Sequence, residues 1–407
     1  MARLLLAWEL GTGFGHAAPL AQLAERLLER GHDVDLAWQD LSLCAAVLPG
    51  LIGHPRLHQW QAPICTGSRS GLADPASFPE MLLCSGLGDV DRLLESARGW
   101  RQLFDAIQPD LLVADHAPTA LLAARGRPMR VATFGNAFLI PPALAPMPVF
   151  RDWEAVDAVR LAASEARLLT ACNVVLAALG EPPMTAVREL LRVDEQFLLG
   201  WPELDHYRPL RESPPSPCWG WPPPPRVAAA PASWPADHPG RRLLVYLRHD
   251  HPAIETVLAV LRAGPWASLV HLVRADDAAT SQVAAGGVVI VNRLLDLSST
   301  LADADLLVSH AGSGTVYAAL QAGVPTLLLP THAEQLMLAR RVAATGAGVL
   351  MWPDEVGTRF AGALSAMLGS PGFAAAARAL AARQAIAPAD VLPRIVERCE
   401  ALSAQAR

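Results

Sequence analysis

A repeated alternation of short apolar runs and helical patterns, on both sides of a proline-rich segment, is what most constrains this fold. Before that segment, the pattern predicts a strand over residues 4–10, a helix over 19–30 and a strand over 33–38. A buried strand over 111–114 and a helix that begins at Pro118 continue the series. This β-α-β order is typical of a parallel sheet with helical connections.

The proline-rich segment, residues 212–240, holds too many prolines for a regular helix or strand and predicts an extended linker. After it the alternation restarts, with strands at 243–247, 269–273, 288–291, 306–309 and 326–329, and helices at 253–261, 314–321 and 333–344. We therefore expect one Rossmann-like domain over 1–211 and another over 241–380. A final helix within 381–407 is expected to pack towards the first domain. Two such α/β sheets predict a ligand cleft between them.

Composition excludes several functions. The net charge of -6 and the pI of about 6.1 argue against a nucleic-acid partner, since such proteins usually carry a basic patch. The six cysteines form no Cys-x-x-Cys pair, which favours reduced thiols in the cytoplasm. No uncharged apolar run reaches the ~18 residues of a membrane-spanning helix, so any membrane contact is expected to be peripheral. A monomer or homodimer is expected.

The first glycine-rich turn, "GTGFGH", has two interpretations. It contains Gly11, Thr12, Gly13, Gly15 and His16. As a dinucleotide loop it supplies the first two glycines, with Asp40 as the acid for a ribose, but His16 occupies the place of the third small residue. The competing interpretation is that the turn presents His16 as a general base, because an imidazole is mostly neutral near pH 7.

A second glycine-rich turn lies in the stretch 304–349. A strand leads to His310, and a helix follows that begins with Gly312, Ser313, Gly314 and Thr315. The N-terminus of a helix offers backbone N–H groups and a partial positive charge, which suit a phosphate. Glu334 and Gln335, at the next strand-to-helix turn, are suited to sugar hydroxyls. The alternative is an ordinary helix start capped by Ser or Thr.

The stretch 304–349 resembles the donor-binding signature of family 1 nucleotide-sugar glycosyltransferases of the GT-B fold, particularly bacterial macrolide and natural-product transferases. The shared motifs are a His-x-Gly-x-Gly-[Ser/Thr] turn, a Gly-Val-Pro strand and an acid-Gln pair. The resemblance implies a GT-B fold with two Rossmann-like domains. It also implies that His310, Gly312 and Thr315 bind the donor diphosphate and that Glu334 and Gln335 hold the sugar.

The same resemblance assigns the catalytic base to a Gly-His-x-x-Pro turn, which here is Gly15, His16 and Pro19. It places an orienting aspartate about a hundred residues later, at Asp115. Two alternatives remain open from the residues themselves. Asp115 is also suitably placed to cap the helix that follows it, and His116 is a rival for the role of base.

Three positions depart from the family pattern. Ala318 stands where many members have a glutamate for the ribose, and Leu294 stands about where a tryptophan would stack on the base. The first strand of the second domain ends in Arg248 instead of Gly-Ser, so Arg248 is a candidate cation for the diphosphate.

The resemblance thus implies inversion at the anomeric carbon, and we expect a transferase that needs no metal or cofactor and takes a UDP- or dTDP-sugar as co-substrate. Three Asp-x-Asp matches lack supporting ligands and are attributed to chance. The apolar stretch 136–150 is a candidate wall for a hydrophobic acceptor, or an ordinary buried connection. The alternatives are a nucleotide-sugar epimerase, a transferase for lipid-linked precursors, and an inactive sugar-nucleotide-binding homologue.

Overall fold

The computed structural model describes residues 1–68, 71–211, 218–225, 233–235, 238–273, 282–284, 287–291 and 295–405. The chain forms two compact units. The first comprises residues 1–200, 207–220 and 389–407, and the second comprises 201–206 and 221–388.

The first unit contains a parallel sheet. Its strands are β1 (Arg3–Trp8), β2 (Asp33–Trp38), β3 (Leu57–Gln61), β4 (Leu111–Asp115), β5 (Arg130–Gly135) and β6 (Glu195–Leu198). Its helices up to this point are α1 (Phe14–Glu29), α2 (Cys44–Val47), α3 (Phe78–Cys84), α4 (Val90–Ile107), α5 (Pro118–Ala124) and α6 (Ala158–Ala178). The strand order is β3-β2-β1-β4-β5-β6. This is the Rossmann order, which reverses direction between β1 and β4, where such sheets bind ligands.

The second unit repeats this design. Its strands are β7 (Arg242–Arg248), β8 (Ala267–Val273), β9 (Gln282–Ala284), β10 (Val288–Val291), β11 (Leu306–Ser309), β12 (Thr326–Leu328) and β13 (Gly348–Leu350). Its helices are α7 (Ile254–Ala263), α8 (Leu297–Ala302), α9 (Ser313–Gln321), α10 (Ala333–Ala344), α11 (Val356–Gly369) and α12 (Pro371–Ala382). The order is β13-β12-β11-β7-β8-β10-β9, with β9 antiparallel to β10. The point of reversal lies between β7 and β11.

The last helix, α13 (Pro388–Gln405), belongs almost entirely to the first unit. Its Glu400 binds Arg30 at 2.9 Å and His32 at 3.0 Å, and its Arg398 lies 2.6 Å from Glu195. The apolar face of the helix, which includes Val391, Ile395, Cys399 and Leu402, is buried.

The unit boundaries differ from those that the proline-rich segment predicts. Within 212–240, residues 212–217, 226–232 and 236–237 lie outside the described residues, whereas Trp221 packs in the second unit. The Trp221 ring stacks on Tyr317 at 4.3 Å, and Gln321 donates a hydrogen bond to the Trp221 carbonyl at 2.8 Å. The stacked aromatic pair fixes the chain around Trp221 in the second unit, although the composition of this segment predicts a linker.

The first helix also begins earlier than predicted. The helix expected over 19–30 extends from Phe14 to Glu29, with Pro19 inside it. The chain turns sharply at Gly13, whose φ is 81°, and is helical from the next residue. Pro19 was therefore a misleading start signal, and the helix includes His16.

The central strands, such as β1 and β4, are buried on both faces, as expected of a sheet covered by helices. Leu4, Leu5 and Leu6 of β1 are each at most 1% exposed. Among the described residues, α6 is long and apolar enough to cross a membrane. The segment 353–369, which contains α11, meets the same test only together with α12, from which it is bent by 70°. Leu168, Cys172 and other apolar residues of α6 pack in the first unit's core.

Candidate functional site

The first glycine-rich turn lies at the carboxyl end of β1, at the point where its sheet reverses. Gly11 and Gly13 have φ values of 87° and 81°, which side chains larger than hydrogen adopt at a cost. These two residues reverse the chain between β1 and α1. The turn thereby places His16 in the first helical turn, beside the end of β4.

His16 and Asp115 are in direct contact. The imidazole Nδ1 lies 3.1 Å from Asp115 Oδ1, and the two side chains are only 12% and 4% exposed. Asp115 ends β4 and pairs in register with Trp8 of β1, so the sheet itself brings the carboxyl group to the turn. A carboxylate only accepts hydrogen bonds, so Nδ1 carries the proton and Nε2 becomes the basic nitrogen.

Gly11 provides the room that His16 occupies. A Cβ atom at Gly11 would lie 2.2 Å from His16 Nε2, far inside any van der Waals contact. At Gly15, in the same turn, a Cβ would meet no atom within 4 Å. Only the first of these glycines is therefore required for the position of the basic nitrogen.

Aromatic rings flank His16. Its ring stacks on Trp8 with centroids 5.4 Å apart and on His116 with centroids 5.9 Å apart. The Trp8 indole N–H donates to the Leu10 carbonyl at 2.7 Å, which fixes that ring. The electron-rich face of an indole attracts a cation, so Trp8 is placed to stabilise a protonated His16.

The structure bears on the alternatives left open by the sequence. The N-cap residue of α5 is Ala117, so Asp115 lies two residues before the N-cap position. Burial and the neighbouring His16 lower the pKa of His116 to about 3, which makes it a poor base. Asp40, the acid that a dinucleotide loop would need, accepts hydrogen bonds from the Ser42 N–H and hydroxyl.

A buried carboxyl group, which sequence analysis missed, lies beneath this turn. Glu9 is 1% exposed and accepts hydrogen bonds from the Thr119 N–H at 2.7 Å and from the Trp100 indole N–H. Burial raises its pKa to about 8. It supplies a hydrogen-bond acceptor at the start of α5, and the only hint in the sequence was a lone acid at the end of an apolar strand.

The second glycine-rich turn also lies at a reversal point, but after β11, which is the counterpart of β4 and not of β1. The helix α9 begins at Ser313. Gly312 is the N-cap residue and makes no side-chain cap, so the capping alternative does not describe this helix start. Ala311 has a φ of 65°, unusual for a residue with a side chain. The first N–H groups of α9, at Ser313, Gly314 and Thr315, precede any intrahelical acceptor and suit an anion.

The surroundings of His310 are rich in histidine. Burial, and then the neighbouring His251 and His332, lower the pKa of His310 to about 4. The ring of His251 is fixed, since it accepts from the Ala253 N–H at 3.2 Å and donates to the Leu329 carbonyl at 2.9 Å. Sequence analysis missed His251 and His332. Both residues could have been found from the sequence, because each lies a few residues after a strand, β7 or β12, whose carboxyl end is at the same edge of the sheet.

Arg248 is the last residue of β7 and is close enough to contribute to the lowered pKa of His310. Its guanidinium binds both oxygens of Asp250, at 2.8 and 2.7 Å. This pair is half-exposed, and its carboxylate compensates most of the positive charge. Binding of a diphosphate by Arg248 would therefore require Asp250 to release or share it.

Glu334 and Gln335 lie in the first turn of α10, after His332. Gln335 is 6% exposed, and its Oε1 accepts hydrogen bonds from the Thr331 N–H at 2.9 Å and from the Thr331 hydroxyl at 3.1 Å. These bonds fix the orientation of the amide. Glu334 is half-buried.

Ala318 is 4% exposed and packs in an apolar cluster with Leu295, Val291 and Leu301. The position that many family members use for a ribose-binding glutamate is thus part of a core. Leu294, the candidate replacement for the base-stacking tryptophan, lies outside the described residues.

Comparison with known proteins supports the resemblance. Residues 268–402 match the family described as erythromycin biosynthesis protein CIII-like, C-terminal domain. The elloramycin glycosyltransferase ElmGT of Streptomyces olivaceus is 44% identical over 108 residues, which is 25% of this chain and 27% of that protein. The demethyllactenocin mycarosyltransferase of Streptomyces fradiae is 38% identical over 68 residues, 17% of this chain and 15% of that protein. The matched region thus spans about a quarter or less of these relatives' length.

Solved structures match the whole chain. The glycotransferase of kitacinnamycin superposes with a TM-score of 0.72 at 18% identity and covers 98% of this chain and 99% of that one. The spinosyn rhamnosyltransferase SpnG in complex with thymidine diphosphate gives 0.64 at 17% identity, over 98% and 100% of the two chains. Its complex with spinosyn aglycone gives a TM-score of 0.59 at 18% identity and covers 99% of this chain and 100% of that one. The expected GT-B fold is confirmed, and residues 268–402 are similar to the EryCIII-like C-terminal domain.

Proposed function

We propose that this chain is an inverting glycosyltransferase of the natural-product type, which moves a sugar from a nucleoside-diphosphate sugar to a hydroxyl of a small, hydrophobic acceptor. The observation that carries the proposal is the contact of 3.1 Å between His16 Nδ1 and Asp115 Oδ1 at the reversal point of the first sheet. The six free cysteines suit a cytoplasmic enzyme.

In this proposal His16 Nε2 accepts the proton of the acceptor hydroxyl while the hydroxyl oxygen attacks the anomeric carbon. The bond from that carbon to the diphosphate oxygen breaks on the opposite face, which inverts the configuration. The nucleoside diphosphate leaves with the bonding electron pair. Asp115 holds the imidazole in the required tautomer and stabilises the imidazolium that forms. General-base catalysis of this kind contributes a factor of about 10²–10⁴ in rate.

We assign the donor to the second unit. The N-terminus of α9 and His310 would meet the diphosphate, whose negative charge grows as it leaves. Glu334 and Gln335 would contact sugar hydroxyls, with the Gln335 amide held by Thr331. In this scheme helix N–H groups and imidazoles supply the electrostatic stabilisation. A chelator is therefore expected to leave the transfer rate unchanged.

The buried Ala318 favours a thymidine over a uridine donor. A carboxylate at this position would accept hydrogen bonds from ribose hydroxyls, and a methyl group among Leu295, Val291 and Leu301 cannot. A deoxyribose has no 2′-hydroxyl, so a thymidine donor loses fewer hydrogen bonds at this position than a uridine donor does. The complex of SpnG with thymidine diphosphate supports this choice. Thermal shifts should be larger with thymidine diphosphate than with uridine diphosphate, and equal shifts would contradict the preference.

We assign the acceptor to the first unit. The stretch 136–150 has a buried apolar part in which Leu139 and Ile140 are at most 8% exposed. Asn136 Oδ1 accepts from the Phe138 N–H at 3.1 Å and so holds the start of the stretch. The buried part packs within the protein, whereas Phe138 and Leu144 of the same stretch are partly exposed and offer apolar area to an aglycone. The complex of SpnG with spinosyn aglycone supports the assignment.

The experiment is to incubate the protein with a panel of nucleoside-diphosphate sugars, with and without candidate acceptors, and to measure the released nucleoside diphosphate. His16→Ala should lower transfer by a factor of about 10²–10⁴ while nucleotide affinity is retained. His58→Ala, at an exposed histidine of β3, is the control and should keep full activity.

Acceptor-dependent release, lost in His16→Ala, supports the proposal. Release without any glycoside product would point to an epimerase or to idle hydrolysis. Nucleotide binding without any turnover would point to a binding homologue. Either of the latter outcomes would overturn the assignment as a transferase.

A further inference from the structure

A small cavity of about 10 Å³ lies in the first unit, between the carboxyl ends of β4 and β5 and the start of α5. Apolar side chains such as Phe78, Leu121 and Ile140 form most of its wall. Two polar side chains, His116 and Thr133, also line it. The cavity is thus a mainly apolar space with two polar groups on its wall.

The hydroxyl oxygen of Thr133 is buried without a hydrogen-bond partner in the described part of the chain. Neither ring nitrogen of His116 has a hydrogen bond of good geometry there, and the Leu10 backbone lies close enough to the ring to raise its pKa. One backbone carbonyl can serve one ring nitrogen, which leaves the other without a partner. Thr133 is 3% exposed. An unpaired buried polar group destabilises the folded state, so such groups usually have a water or ligand as partner. Two such groups on one small cavity indicate that something polar belongs there.

The backbone of His116 is also in an unfavourable conformation. Its φ of 45° lies in the left-handed region, which residues with a side chain rarely adopt. Its carbonyl accepts a hydrogen bond from the Leu10 N–H at 3.0 Å, so this strained turn is held against the first glycine-rich turn. A strained backbone and a buried ring nitrogen without a hydrogen bond, both at one residue, are typical of a functional position.

We propose that His116 and Thr133 form a binding site for one hydroxyl oxygen, which an ordered water supplies in the free protein and the sugar acceptor supplies on binding. The part that concerns the acceptor rests on the proposed function. The volume matches a single water, which needs about 10–15 Å³. A hydroxyl group both donates and accepts, and so do a neutral imidazole and a threonine hydroxyl.

The chemistry of the site selects a neutral hydroxyl. Burial lowers the pKa of His116 to about 3, so its ring stays uncharged near neutral pH and offers one donor and one acceptor. The apolar remainder of the wall disfavours a charged ligand.

The site also adjoins the proposed base. The His116 ring stacks on His16 with centroids 5.9 Å apart. An acceptor oxygen held by His116 and Thr133 would lie beside the hydroxyl that reacts at His16. The protein should therefore favour acceptors that carry a second oxygen near the reacting hydroxyl.

The first arm of the test measures stability in the full chain. Thr133→Val keeps the shape of the side chain but removes the hydroxyl. The control is Thr326→Val, because Thr326 is also a buried strand threonine whose hydroxyl has no partner, and it does not line the cavity. Thr133→Val should lower Tm by about 2–4 °C, since the bound water loses a partner. Thr326→Val should leave Tm unchanged or raise it.

The second arm measures kinetics with whichever acceptor supports transfer. If the acceptor supplies the oxygen, Thr133→Val should raise the acceptor KM by about tenfold with little change in kcat, and Thr133→Ser should restore the KM. An unchanged KM with a lowered Tm would assign the site to water alone.

Equal Tm shifts in Thr133→Val and Thr326→Val, with an unchanged KM, would overturn the proposal. If the protein shows no transfer at all, the proposed function fails, but the Tm comparison still decides whether the site holds an oxygen. A crystal structure with no density between His116 and Thr133 would overturn it as well.

Discussion

The two glycine-rich turns both lie where the strand order of their sheet reverses, but on opposite sides of that point and in different surroundings. The first follows β1, the second follows β11, which is the counterpart of β4, and each presents a histidine. His16 contacts the carboxylate of Asp115 at 3.1 Å. His310 is instead buried, and burial disfavours its protonated form most, followed by the neighbouring His251, His332 and Arg248.

This difference indicates that each sheet places a histidine at its reversal point and that burial and neighbouring groups decide the chemistry of that histidine. A carboxylate stabilises an imidazolium, so His16 suits a proton acceptor. Burial, helped by the neighbouring basic residues, keeps His310 neutral until an anion arrives, so His310 suits a diphosphate.

Removing the carboxylate charge should have the largest effect. Asp115→Asn keeps the size of the side chain but no longer stabilises the imidazolium or specifies its tautomer. We expect kcat to fall by a factor of about 10³–10⁴ with nucleotide affinity unchanged. Steady-state kinetics and calorimetric titration measure the two quantities. Asp91→Asn, at an exposed aspartate of α4, serves as the control, and equal activities in the two variants would break the contrast.

Filling the space beside the base should have the next largest effect. Gly11→Ala puts a methyl group 2.2 Å from the present position of His16 Nε2 at a φ of 87°, so the ring must move. We expect kcat to fall by about 10–100-fold, since small misplacements of a catalytic group are costly. Gly15→Ala meets no atom within 4 Å and should retain activity. Similar losses in both variants would show that backbone flexibility, and not the space, is what matters.

The affinity for a diphosphate should depend on pH through His310. Its pKa of about 4 in the free protein should rise when an anion binds, so binding takes up protons and strengthens as pH falls. The ligand itself also titrates, so the test compares wild-type protein with His310→Gln between about pH 5 and about pH 8. The wild type should gain several-fold more affinity on acidification than the variant. Parallel curves would remove His310 from the diphosphate site.

The buried Glu9 should have the smallest effect, on stability alone. Its pKa is raised from 4.5 to about 8, so the folded state binds a proton that the unfolded state releases above 4.5. Its contribution to stability is present below pH 4.5 and is lost as pH rises towards 8. Glu9→Gln mimics the protonated form. Its Tm should equal that of the wild type at about pH 5 and exceed it by several degrees at about pH 9. Equal Tm values at both pH values would contradict this interpretation.

Much of the fold followed from the sequence because parallel strands leave a strong signal. Strands buried on both faces are continuous apolar runs, and β2, β10 and β11 begin and end as predicted. The weaker elements were missed. β3 reads Leu-His-Gln-Trp-Gln, a half-exposed strand whose pattern resembles a loop.

The pairing of His16 with Asp115 was suggested by the family resemblance, and the register of Trp8 with Asp115 in adjacent strands gives its physical basis. Contacts that depend on three-dimensional packing left no local signal. Nothing near Glu9 in sequence indicates that Thr119, 110 residues away, would bind it. The unpaired hydroxyl of Thr133 was equally invisible, because a threonine in a strand is ordinary.

The most direct measurement of the contrast is a pair of variants in one assay: His16→Ala and His310→Ala, each tested for thymidine diphosphate affinity and for transfer. We predict that His16→Ala loses transfer and binds the nucleotide as the wild type does, whereas His310→Ala loses nucleotide affinity. If His16→Ala loses affinity and His310→Ala keeps it, the division of chemistry between the two turns is wrong.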